Sequence, residues 1–183
     1  VGVDLDLIAG LDNFCWPDPV ESAKTPDGRY KLAQLVRANR ALDDVCRAYN
    51  LPCISGKDSM KNDATLHGEK ISIPPTILFS LIGNHSDVRM AVSSDFKSVG
   101  DQIYLCGESH HELGASELSF MLKDESNGTS GIGGRVPEID TTRNLAMYRA
   151  LTGAMSNGLV ASAHDCSCLL YTSDAADEVL GGV

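Results

Sequence analysis

No apolar run in this sequence approaches the ~20 residues that a membrane-spanning helix needs, so no membrane association is expected. No charged-then-apolar leader opens the chain, and no secretion signal is read. Basic residues are in deficit: 15 Lys and Arg stand against 25 Asp and Glu, a net charge of −10. That argues against a broad nucleic-acid surface, which needs clustered Lys and Arg. It leaves small anions open, because a phosphate site needs only a few local cations and backbone N–H groups. The six cysteines, Cys15, Cys46, Cys53, Cys106, Cys166 and Cys168, contain no CxxC pair, and Cys166-Ser-Cys168 is too close for a normal zinc pair. Three of them lie in apolar stretches, where a free thiol behaves as a small hydrophobe. Reduced cysteines and a cytoplasmic location are expected. The P-loop pattern is absent, and no Ser/His/Asp triad can be argued from spacing.

What is present is ordinary globular material: 183 residues, 43% hydrophobic and 22% charged, enough for one large domain or two small ones. The chain opens on VGVDLDLIAG, not on Met, and these residues read as the middle of an element, so a fragment is expected. Residues 10 to 30 hold three prolines, two glycines and several Asp, which is loop chemistry. From Lys31, apolar Leu32, Leu35, Val36, Leu42, Val45, Cys46 and Tyr49 recur at helical spacing and predict a helix ending near Asn50. Pro52 disfavours helix, and Cys53-Ile54 predicts a short strand. SGKDSMKNDATLHGEK follows as loop. Ile71 to Ile82 predicts a strand, with its Pro pair marking an edge or a kink at its start. Further strands are expected at Ile103–Cys106 and Leu159–Ala163. Helices are expected over His111–Leu122 and from an Asp140 N-cap to about Asn157. The order of elements predicts an α/β or α+β fold, with a boundary near Gly83.

The stretch Pro52 to Asp63, PCISGKDSMKND, gathers the richest chemistry. Gly56 permits close backbone approach to a ligand. Lys57 or Lys61 can neutralise a phosphate. Asp58 offers the oxygen that magnesium prefers, and Ser59 can donate to a phosphate or hydroxyl. The cluster follows a strand, where ligands collect in α/β sheets. The same residue types are also those of a solvated turn, and spacing alone reads that way. His164-Asp165, at an expected strand end, offers a proton relay and a metal ligand, or equally a local hydrogen-bonding pair. His110-His111, the GIGG segment at 131–134, and Asp12 and Asp18 around Trp16-Pro17 have structural readings as their defaults.

Eight words carry a resemblance: LDNFCWPDP, KLAQLVRANRAL, PCISGKDSMKND, IPPTILFSLIG, DFKSVGDQIYLCG, ELGASEL, VPEID and GLVASAHD. In that order they resemble the phosphoribosylformylglycinamidine synthase family over essentially all of residues 1 to 167. The resemblance implies an ATP-dependent ligase of de novo purine synthesis. Formylglycinamide ribonucleotide, ATP and glutamine would give formylglycinamidine ribonucleotide, ADP, phosphate and glutamate. ATP would activate the formamide oxygen, and ammonia from a glutaminase domain or subunit would displace it. The implied fold is that of aminoimidazole ribonucleotide (AIR) synthetase-like enzymes, an N-terminal-type and a C-terminal-type α/β domain occurring twice. Residues 1–83 resemble the end of the second N-type domain and 84–167 the start of the second C-type domain. The first half of the same synthase is then a partner, and the main catalytic histidine lies there, so no catalytic residue is assigned here.

In many members of that family the equivalent stretch reads GGNVSxYN, whose second Gly contacts ATP, whose Asn binds Mg²⁺ and whose Ser contacts substrate. These positions fall on Gly56, Lys57 and Ser59. An ammonium cannot bind magnesium, so Lys57 is expected on a phosphate, with Asp58 the metal ligand. The family's Asp that approaches ATP aligns near Gly10, with Asp12 a nearby substitute. Asp165 corresponds by pseudo-symmetry to a metal-binding Asp of the first half. The resemblance equally admits a non-catalytic half whose nucleotide is structural. Beyond Ser167 it stops: CLLYTSDAADE resembles a translated transposase sequencing adapter, so residues 168–183 are expected to be foreign to the protein.

Overall fold

The computed structural model of the chain describes residues 1–114, 116–122 and 134–166. The expected foreign tail, 168–183, and most of the GIGG segment lie outside the described residues. Among those described, the chain is mixed α and β. Five strands and three α-helices run in the order β1 (Ile8–Cys15), α1 (Gly28–Ala48), β2 (Cys53–Ser59), β3 (Asp63–Leu66), β4 (Glu69–Ser72), β5 (Thr76–Gly83), α2 (Glu117–Met121) and α3 (Thr141–Ser156). No described helix is long and apolar enough to cross a membrane. Contacts group the described residues into two compact units, one drawn from 1–97 and 149–166, the other from 98–148.

The first unit is organised on a three-stranded sheet of order β2-β1-β5, parallel between β1 and β2 and antiparallel between β1 and β5. Its central strand is a correction: residues 10 to 15 are strand, not loop. Gly10 accepts the Phe79 ring of β5 against its α-carbon, where any side chain would collide. Gly10, Asp12 and Phe14 alternate onto one face, and Phe14 and the following Trp16 are buried. Helix α1 lies on that face. The Trp16 indole donates to the Lys31 carbonyl at 3.0 Å, and the Cys46 and Cys53 thiols lie 3.7 Å apart.

α1 confirms the helical spacing and begins three residues earlier than expected. Its end is a Schellman motif: Leu51 N–H donates to Cys46 O at 2.8 Å and Asn50 N–H to Arg47 O at 3.2 Å, with Asn50 left-handed at φ 51°. The buried Leu51 and then Pro52, whose carbonyl accepts from Gly10 N–H, lead directly into β2.

β2 runs on to Ser59, so the SGKDS residues are strand where a loop was expected. The rest of that expected loop folds as a β3–β4 hairpin around His67 (φ 52°) and Gly68 (φ 85°). Two consecutive positive φ values are what a two-residue hairpin turn demands. The single strand expected over Ile71–Ile82 is interrupted: Ile71 and Ser72 end β4, the Pro pair follows, and β5 begins at Thr76, forming an edge of the described sheet, as the Pro pair suggests.

Two expected strands do not form. Ile103–Cys106 and Leu159–Ala163 have no strand partner among the described residues. Ala163 makes a single backbone bond to Ser93 O at 3.1 Å. In the second unit the helix expected over His111–Leu122 shrinks to α2, capped by the Ser116 hydroxyl on Ser119 N–H at 3.1 Å. α3 starts as predicted, its Arg143 N–H donating to the Asp140 carboxylate at 3.0 Å.

Candidate functional site

Parallel register places Asp12 beside Gly56, Asn13 beside Lys57, Phe14 beside Asp58 and Cys15 beside Ser59. Strand alternation then divides the PCISGKDSMKND cluster between two faces. Gly56 and Asp58 share the α1 face with Asp12 and Phe14. Lys57 and Ser59 share the opposite face with Asn13 and Cys15. Each half is joined locally. The Lys57 ammonium donates to the Ser59 hydroxyl. On the other face the Asp12 carboxylate lies over Gly56, so close that a Cβ at Gly56 would overlap Oδ1. The expectation at Gly56 was a ligand against the backbone. The approaching group within the chain is Asp12, from a segment expected to be loop.

The Lys57 face is open. Lys57, Ser55, Ser80 and Thr76 are exposed, and Leu78 and Ile82 of β5 stand beside them. An ammonium and a hydroxyl side by side on an exposed strand can meet a phosphate: the ammonium neutralises charge and the hydroxyl donates a hydrogen bond. Asp58 is also exposed but points to the α1 side. A magnesium ion held by Asp58, with Asp12 the other carboxylate on that face, would not share a phosphate with Lys57. Those residues therefore do not fit one metal–nucleotide set, and no group of three His, Cys, Asp or Glu placed for a metal occurs among the described residues.

Asp165 pairs locally. His164 Nδ1 lies 3.0 Å from Asp165 Oδ1 and 2.6 Å from Asp165 O. The pair sits on an irregular segment, not at a strand end. His110 lies 3.6 Å from Glu108, and with His111 it lines an open cavity of about 790 Å³ in the second unit, together with Glu112, Arg135 and Arg143. Arg135 is already paired to Glu112 and Glu138, and Arg143 to Glu108.

A charged network that the sequence reading missed ties the β3–β4 hairpin to the segment that follows β1. Asp63, at the start of β3, accepts from Asp18 N–H at 3.0 Å and from Lys70 at 3.2 Å. Lys70 also donates to the fully buried Thr25 hydroxyl at 2.5 Å and sits 3.7 Å from Asp18. Lys61 closes on Asp18 at 3.8 Å, and buried Lys31 donates to Ser72 at 2.9 Å. Burial alone would raise the Asp63 carboxyl. The Ser72 hydroxyl, the Asp18 amide and Lys70 outweigh it and hold the group below the ordinary carboxylate range. Asp18 also accepts from Val20 N–H at 3.0 Å, so it is a turn-forming residue tied into ion pairs. No sequence spacing announces this network, because its members are brought together by the hairpin.

No known protein family matches the chain in a family scan, and no solved structure matches it.

Proposed function

We propose that this chain is part of the second half of a phosphoribosylformylglycinamidine synthase, the ATP- and glutamine-dependent ligase that converts formylglycinamide ribonucleotide to formylglycinamidine ribonucleotide. Eight sequence words in order support the reading. The observation that carries it is the pairing of Lys57 with Ser59 on an open strand face, next to Gly56 with the Asp12 carboxylate over it. In this reading Lys57 and Ser59 contact a phosphate of the nucleotide or of the ribonucleotide substrate. ATP supplies the phosphoryl group that makes the formamide oxygen a leaving group. The fold is AIR synthetase-like, with residues 1–83 from an N-type and 84–167 from a C-type domain. Magnesium accompanies the nucleotide in the whole enzyme. Asp58 and Asp165 are the ligands that the resemblance implies, but Asp58 and Lys57 face opposite ways and Asp165 pairs with His164, so no step is routed through them. Ammonia comes from the glutaminase domain or subunit, and the first half of the synthase packs against this one in the cytoplasm.

A second reading rests on Lys57 itself, which stands where many family members carry a magnesium-binding Asn. A half without that Asn suits a structural nucleotide. Lys57→Ala in the full-length synthase separates the two. Direct participation predicts a turnover loss of about 100-fold, the scale of removing one preorganised charge-stabilising group, with unaltered folding. A loss of stability with turnover per folded molecule intact supports the structural nucleotide. No change in either removes Lys57 from the site.

A further inference from the structure

We infer that Cys46 and Cys53 form a reversible intramolecular disulfide under peroxide, closing a covalent tie between the last turn of α1 and the first residue of β2. Among the described cysteines these two have their sulfurs in contact, at 3.7 Å. A disulfide bond is about 2.05 Å long, so closure needs a movement of roughly 1.7 Å, within reach of χ1 adjustment at two side chains. The backbone between them is already held in a turn. The Schellman bonds from Leu51 and Asn50 fix the helix end, and Pro52 O is tied to Gly10 N–H at 2.8 Å. The two thiols thus face one another across a short, hydrogen-bonded connection and do not meet by chance.

Their exposures differ in the sense a redox pair requires. Cys53 is exposed on an edge strand and can be reached by oxidant, whereas Cys46 is buried beneath it. Burial, and next the contact with Cys53, push the Cys46 thiol up to about 11, so it stays protonated and protected from direct oxidation. Peroxide oxidises the Cys53 thiol to a sulfenic acid and releases one water. The Cys46 sulfur then attacks the Cys53 sulfur, the S–O bond breaks, and the hydroxyl leaves with the Cys46 proton as a second water. Two thiols lose two electrons and two hydrogens, and one peroxide is reduced to two waters. A dithiol reductant reverses the step by exchange. The tie pins the start of β2 four residues before Lys57, independently of what Lys57 binds.

The test is a peptide map of the chain after hydrogen peroxide, alkylation and trypsin. Cleavage after Arg40, Arg47 and Lys57 puts Cys46 on residues 41–47 and Cys53 on 48–57. The expected result is a linked pair of these two peptides, lighter by two hydrogens than their sum. It disappears with dithiothreitol, is lost in Cys53→Ser and is kept in Cys15→Ser. It also forms faster in the folded chain than in urea. In Cys46→Ser, Cys53 stops at sulfenic acid and takes dimedone; if that variant does not fold, Cys53→Ser carries the control. Cys53 advancing to sulfinic acid while Cys46 still alkylates would overturn the inference. So would equal rates of linkage in buffer and in urea.

Discussion

At Gly56 the neighbouring strand decides the residue. The Asp12 carboxylate occupies the space that a Cβ would take. Gly56→Ala therefore forces the Asp12 tip to swing away, a local overpacking that costs about 1 kcal/mol. Because the clash involves the mobile end of one side chain, Asp12→Ala should restore most of that loss, and urea unfolding of the two single variants and the double variant reads the coupling. Additive losses would mean that the two residues do not meet. The sequence reading placed a ligand against Gly56, whereas the group found there is the Asp12 side chain. It could not find the cause, since Gly10, Asp12 and Asn13 look like turn residues and become strand only by pairing on both sides. The same pairing separates Lys57 from Asp58. Adjacent residues in a loop can serve one ligand; adjacent residues in a strand face opposite ways.

At the scale of elements, legibility follows the source of each element's stability. α1 was readable because its apolar spacing and its Asn50 terminus are local properties of the chain. The Asp140 cap was readable for the same reason. The β3–β4 hairpin was not. Its strands are short and polar, and what fixes it is the ion-pair network around Asp63. That network makes a pH prediction. The Asp63 carboxyl is held below its ordinary value in the folded chain, so its contribution is present above the unfolded value of about 3.9 and is lost as pH falls through the lower folded value. Asp63→Asn should cost about 1–2 kcal/mol at neutral pH, typical of losing charged hydrogen bonds in a part-buried site. The gap between variant and parent should then close as pH drops through the acid range, as read by denaturant midpoints. A gap that stays constant into acid would show that Asp63 is not charged in the fold.

At the scale of the molecule, the described core is thin. Its buried apolar side chains are Phe14, Trp16, Pro17, Cys46, Leu51, Val92 and Met155, all within the first unit. Large apolar side chains stand exposed elsewhere, Leu78 at 61% and Ile82 at 55% among them. These two share the face of the sheet that carries Lys57. Both outer strands of the described sheet, β2 and β5, present backbone to pairing. β2 carries Lys57 and Asp58, charges of the kind that discourage edge-to-edge association. β5 reads TILFSLIG and has none. The chain on its own should therefore self-associate through β5 as its concentration rises, and bind a hydrophobic dye while doing so. Sedimentation velocity across a concentration series measures the first, dye fluorescence the second. Leu78→Lys places a charge on the exposed face without touching the buried residues, so it should suppress association while leaving the unfolding free energy within about 0.5 kcal/mol. A chain that sediments as a monomer at every concentration would refute the prediction. Association undiminished by Leu78→Lys would place the contact on another surface.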